Sequence, residues 1–189
     1  MSIPRSIWPH FEPERECRVQ VTAGAALFYP LLFFLDTEGF FPVLLPGIVF
    51  HELGHLLALR AFGGRLLLLR LEAAGLYMDT TPFISRRQAL FCIAAGPFAG
   101  LLWAALSLLS GTAWGVRSAA ASLVINSFNL LPAIPLDGGE ILYILTDSKT
   151  ATQICSISVV CLLIAGFFVY RAWGLLVPAV LIARTMISS

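Results

Sequence analysis

Residues 50 to 57 read FHELGHLL, and two of the chain's three histidines lie in that stretch. On a helix, His51 and His55 stand at i and i+4 and project from one face a turn apart. Two imidazoles so placed can chelate one zinc ion. Glu52 is offset around the helix, where it can serve as a general base for water and not as a ligand. Gly54 adds a thin surface where a neighbouring helix or a substrate can come close. Both flanks are apolar. Histidines in membrane helices also act as interhelical hydrogen-bonding groups, and a glutamate there can relay protons. The metal reading outweighs these because ionisable groups inside an apolar span are costly and mark functional sites.

A catalytic zinc takes three protein ligands and keeps one position open, so a third ligand must come from elsewhere. Of the eleven acidic residues, Glu12, Glu14 and Glu16 fall in the N-terminal tail, as does His10. Asp36 and Glu38 fall in a loop, Glu72 and Asp79 in an expected hairpin, and Asp147 in a polar loop. Asp137 and Glu140 remain, both in NLLPAIPLDGGE. Asp137 is the stronger candidate. It follows Pro132 and Pro135, which remove donors and clash with a preceding turn, and it precedes Gly138 and Gly139, which let the backbone turn freely. Irregular backbone at membrane depth is tolerated only where it lines a cavity or is buried in protein. A break of that kind carrying one carboxylate suits a metal site better than a simple interfacial Asp-Gly turn. Asn129 stands eight residues before Asp137. Its amide can hold a substrate backbone or steady an oxyanion, or equally satisfy a freed helix carbonyl. Contact between Glu140 and the site is left open.

The elements that must position these residues are membrane spans. The chain has 189 residues, one domain by length. Apolar residues make up 58% and charged residues 12%, with a mean hydropathy of +0.86; soluble domains carry about 25% charged residues. That composition reads as an integral membrane protein. The net charge of +1 says nothing about nucleic acid, and with no basic patch interleaved with aromatics none is expected as a partner. Cys17, Cys92, Cys155 and Cys161 form no CxxC pair, and three of them sit in apolar runs as packing residues. The polar, mixed-charge N-terminus does not read as a cleaved signal peptide.

The expected fold is an all-α polytopic membrane protein, with about six transmembrane helices and a membrane-associated β-hairpin after the second. The expected spans cover roughly residues 21–35, 40–62, 88–109, 117–131, 152–169 and 173–187. Residues 1–20 form a cytoplasmic tail and 21–189 a single transmembrane domain, with the hairpin at about 64–87. Gly63 and Gly64 end the second helix. RLLLLRLE and GLYMDTT then read as two short strands with a turn at 73–75, against the plainer reading of an amphipathic surface segment. A hairpin would offer an edge for an extended peptide, with Leu66, Leu68, Leu76 and Tyr77 as the residues nearest a substrate strand. If the N-terminus is cytoplasmic, ten of the twelve basic residues lie inside and only Arg117 and Arg171 outside. Both termini are therefore expected in the cytoplasm, with the first motif in the cytoplasmic half of the second span. No internal repeat is legible.

Together the two motifs resemble those of the site-2 protease family of intramembrane zinc metalloproteases. HELGH, followed by Ala58, resembles the first motif and NLLPAIPLDGG the second; AAGPFAG at 94–100 resembles the family's Ala-Gly-Pro element. The resemblance covers about residues 40–145. It implies one zinc ion (Zn2+) per chain held by His51, His55 and Asp137, with Glu52 as base and acid and Asn129 assisting substrate or intermediate binding. The six-span layout with a hairpin resembles the minimal sporulation-type branch, without a PDZ or CBS domain. The implied activity is hydrolysis of peptide bonds within or near the transmembrane segments of single-span proteins (regulated intramembrane proteolysis). The implied setting is a cell membrane of the prokaryotic plasma or inner-membrane kind, with room for an inhibitory or regulatory membrane partner. Substrate, trigger and oligomeric state are not legible. Two other classes stay open. A zinc or proton transporter would use Glu52 and Asp137 as relay groups, but should carry broken helices in both halves of an internal repeat. A catalytically silent homologue would bind membrane proteins without cutting them, against which the intact Glu52 argues.

Overall fold

The computed structural model describes residues 17–73, 75–81, 85–171 and 175–188. Hydroxyl side chains start most of its helices. Thr22, Ser85, Thr112 and Ser148 each accept a hydrogen bond from the amide three residues on, opening α1 (Ala23–Leu35), α3 (Arg86–Leu109), α4 (Ala113–Asn129) and α6 (Lys149–Tyr170). The helix that carries the first motif, α2 (Phe41–Ala61), starts differently. Asp36 accepts from the amides of Phe40 and Phe41, at 2.7 Å each, placing negative charge at the positive end of the helix. Gly63, at φ +75°, ends α2 in the left-handed region that glycine tolerates. Two further helices follow, α5 (Asp137–Thr146) and α7 (Leu176–Ser188).

Six of these seven described helices lie where the six spans are expected. Three of them, α2, α3 and α6, are long and apolar enough to cross a membrane, which marks the chain as a membrane protein. At 13 residues each, α1 and α7 are apolar but short. Large apolar side chains such as Phe34, Phe98, Val124, Leu162 and Phe168 point outward, as helices in lipid require.

The hairpin is present as β2 (Leu66–Glu72) paired antiparallel with β3 (Gly75–Thr80), with Leu69 opposite Met78 and Glu72 opposite Gly75. The sheet also has a strand that the sequence reading placed in the tail. β1 (Arg18–Val21) runs parallel to β2, with Arg18 opposite Leu68 and Val21 opposite Leu71. Residues 18–20 of the expected tail are therefore part of the folded sheet. β2 is consequently the inner strand. Leu68 is paired on both sides, with Arg18 and with Asp79, while Leu76 and Tyr77 lie on the outer strand β3.

The core of the molecule is the packing of α2, α3 and α4. Small residues bring the backbones close: Gly54 of α2 lies against Ala95 and Ala99 of α3, and Gly47 of α2 against Ser122 of α4. Interhelical hydrogen bonds reinforce this, as in membrane bundles generally. Ser118 donates to the carbonyl of Val43 at 3.1 Å and accepts from the Trp103 indole at 3.1 Å. Ser122 donates to the carbonyl of Gly100 at 2.7 Å.

Candidate metal centre

The i, i+4 spacing on α2 does what it was expected to do. The rings of His51 and His55 stand edge to face, with centroids 4.7 Å apart, and their Nε2 atoms are 3.0 Å apart. Asp137 Oδ2 lies 3.2 Å from His51 Nε2 and 3.6 Å from His55 Nε2. The two motifs, far apart in sequence, thus meet at one point. Among the described residues this is the one group of three or more His, Cys, Asp or Glu side chains arranged to hold a metal ion.

The far side of each ring is also engaged. His55 Nδ1 is 2.8 Å from the backbone carbonyl of Cys92. A carbonyl only accepts, so this nitrogen carries the hydrogen. His51 Nδ1 is 2.8 Å from Asn126 Oδ1, likewise an acceptor. In a neutral imidazole the other nitrogen, Nε2, is then a bare lone pair. Two lone pairs face each other across 3.0 Å. The carboxylate oxygen beside them is buried and lacks a hydrogen-bond donor. A proton can satisfy one of these approaches; a divalent cation satisfies all three at once. The donor set, two imidazole nitrogens and one carboxylate oxygen, is that of a catalytic zinc site with a position left open, so the residues present fit the ion that the sequence implies.

Space for the rings comes from α3. A Cβ on Gly96 would stand inside the His55 ring, and one on Gly100 inside the Asn126 amide. Both glycines belong to the AAGPFAG stretch.

The carboxylate is delivered by α5, which packs against α3 and α6. After α4 ends, residues 130–136 are irregular, as Pro132 and Pro135 require. The Ile134–Pro135 peptide is cis. Ile134 N–H donates to Ser156 Oγ of α6 at 3.1 Å, and Thr185 Oγ1 of α7 lies 3.2 Å from the Ile134 carbonyl, while the nearer Ile182 carbonyl, at 2.8 Å, takes its one hydrogen. Ala133 is wholly buried against Val159 and Ile182. The expected break is shorter than the sequence implied. Helix α5 starts at Asp137 itself, with Leu136 as its cap. Gly138 and Gly139 are helical. They are needed because the backbone at Leu130 and Ala133 occupies the space where side chains would stand.

Glu52 is half-buried, one residue from a ligand, and within electrostatic reach of His51, His55 and Asp137. Asn129 Nδ2 stands 3.5 Å from His51 Nε2, too far for a strong bond, so it adjoins the ligands without holding one. Glu140, three residues after Asp137 on α5, stands outside the ligand group. Sequence reasoning passed over Asn126 and Ser122, and marked the stretch that holds Gly96 and Gly100 without reading what those glycines make room for. The signal available was the spacing of Ser118, Ser122 and Asn126, a polar residue every four positions on an otherwise apolar helix.

The fold and the site together define a helical membrane protein with a buried His-His-Asp centre at the junction of two helix packings. No protein-family model matches the chain, and no curated protein matches it. Among solved structures the chain is similar to the site-2 protease from Methanocaldococcus jannaschii, with a TM-score of 0.66 at 20% identity over 88% of this chain and 87% of that one. The resemblance carried by the two motifs therefore extends to the fold as a whole.

Proposed function

We propose that the protein is an intramembrane zinc metalloprotease of the site-2 type, cleaving peptide bonds within or near the transmembrane segments of single-span membrane proteins. The observation that carries this reading is the convergence of three bare acceptors, His51 Nε2, His55 Nε2 and Asp137 Oδ2, next to a carboxylate, Glu52, that ligation leaves free. A zinc ion held by those three atoms would supply a Lewis acid for the scissile carbonyl and lower the pKa of water towards neutrality. Glu52 then takes the proton from the attacking water and passes it to the leaving amine. The Asn129 amide donates to the substrate carbonyl or to the oxyanion that it becomes. Substrate helices hide their amides in hydrogen bonds, so the cleaved segment must first unwind. The outer strand β3, with Leu76 and Tyr77, suits pairing with such an extended segment. Leu66 and Leu68, on the inner strand, would support that edge from behind.

The basic-residue bias supports cytoplasmic termini. A transporter reading lacks support, because the break between α4 and α5 has no counterpart in the first half of the described chain. The deciding experiment measures zinc content and cleavage of a single-span substrate by purified protein in lipid vesicles. About one zinc per chain, with cleavage that a chelator abolishes and zinc restores, is the expected result. Stoichiometric zinc without cleavage of any helix-destabilised substrate would favour the silent binder. No zinc at all would overturn the reading.

A further inference from the structure

Asn126 does something that the two motifs do not include. It lies on α4, wholly buried, and its amide has only one workable orientation. Nδ2 is 2.7 Å from the Ser122 carbonyl, which can only accept, and 3.2 Å from Ser122 Oγ. The Ser122 hydroxyl spends its hydrogen on the Gly100 carbonyl, at 2.7 Å, so its oxygen is free to accept from Nδ2. The amide nitrogen is thereby fixed towards Ser122, and the amide oxygen towards His51 Nδ1 at 2.8 Å. Gly100 leaves the space in which the amide sits, since a Cβ there would overlap it.

We infer that Asn126 is a positioning residue: its side-chain oxygen holds His51 in the tautomer with hydrogen on Nδ1, so that Nε2 presents its lone pair to the metal. This rests on the metalloprotease reading for its purpose, but not for its geometry. The two histidines differ in an instructive way. His55 is oriented by a backbone carbonyl, which no substitution at position 92 removes. His51 depends on one side chain. Free histidine favours the opposite tautomer, with hydrogen on Nε2, so without the Asn126 acceptor the ligand nitrogen would tend to be occupied by hydrogen. Partners of this kind fix ring orientation and tautomer, and losing them typically weakens metal binding about 10- to 100-fold. A neutral amide does this without adding negative charge to a centre that already has Asp137.

The test uses metal-free full-length protein in detergent, labelled with 15N-histidine, together with zinc affinity by chelator competition. In the wild type both His51 and His55 should carry their hydrogen on Nδ1. In Asn126→Leu, His51 should move to the Nε2–H form while His55 stays put, and zinc affinity should fall about 10- to 100-fold with helical content unchanged by circular dichroism. A wild-type His51 with hydrogen on Nε2 overturns the inference without any variant. So does an Asn126→Leu protein that binds zinc as the wild type does. If Asn126→Leu does not fold, Asn126→Ala serves: it removes the same acceptor with a smaller side chain, and a His51 that keeps its hydrogen on Nδ1 overturns the assignment. A wild type with both expected tautomers but no affinity for zinc would instead sink the metalloprotease reading and leave the Asn126 assignment standing.

Discussion

His51 Nε2 and His55 Nε2 face each other at 3.0 Å, closer than two uncharged acceptors would choose. Their outer nitrogens are already hydrogen-bonded to oxygens, so neither ring can turn away without leaving a buried group unpaired. The fold therefore holds an electrostatically unfavourable arrangement that a cation relieves. Zinc should accordingly stabilise the protein measurably. At a free concentration 1,000 times the dissociation constant, binding to the folded state alone is worth about 4 kcal/mol. Thermal melts should move up with zinc and down with chelator. Asp137→Ala should show a much reduced shift, and a full-sized shift in that variant would place the third ligand elsewhere.

Glu52→Gln separates binding from chemistry. Glutamine is nearly isosteric and Glu52 is outside the ligand group, so zinc content should stay at the wild-type level. General acid–base catalysis is worth about 10²- to 10⁴-fold, and kcat should fall by at least that much with KM little changed. Robust cleavage by the variant would remove Glu52 from the mechanism.

The glycines of α3 make a sharper structural prediction. Gly96→Ala puts a methyl into the His55 ring. Overpacking of this kind costs about 1–3 kcal/mol, and relief requires the ring to leave its place. Zinc affinity should drop more than thermal stability. Gly24→Ala in α1 is the control, because the nearest atom to its new Cβ is 3.8 Å away. It should bind zinc as the wild type does. Equal zinc loss in both variants would argue against the glycine cradle.

The support behind Asp137 is testable at a distance. Ser156→Ala leaves the Ile134 amide without its acceptor, at a cost of about 1–3 kcal/mol for a buried unpaired group. Ser156 touches none of the three ligands, yet its loss loosens the loop that aims the carboxylate. Zinc affinity and cleavage should both fall. Unchanged zinc affinity would mean that α5 alone sets the position of Asp137.

Much of the site was legible before the fold because its chemistry is local. HELGH places two ligands by helical periodicity alone, and the acidic census left few candidates for the third. The three long apolar helices and the hairpin were legible for the same reason. What was not legible depended on contacts across the chain. RVQV at 18–21 alternates as a strand should, but four exposed residues at the end of a polar tail form a strand only because β2 is there to pair with them. Gly138 and Gly139 looked like turn formers. They are helical, and small because of what packs against them. Asn126 looked like any polar residue in an apolar helix until its partner, 75 positions away, was brought alongside.

The two imidazoles and the carboxylate have different anchors. The histidines are set by α2, α3 and α4 through Cys92, Asn126, Gly96 and Gly100. Asp137 is set by a loop fastened to α6 through Ser156 and packed on α6 and α7 through Ala133, against Val159 and Ile182. An ion at the centre would therefore act as a rivet between two plates of the protein as well as a reagent. Any opening of one plate against the other, for instance to admit a substrate, would stretch the ligand set itself, so entry and metal affinity become two readings of a single mechanical coordinate.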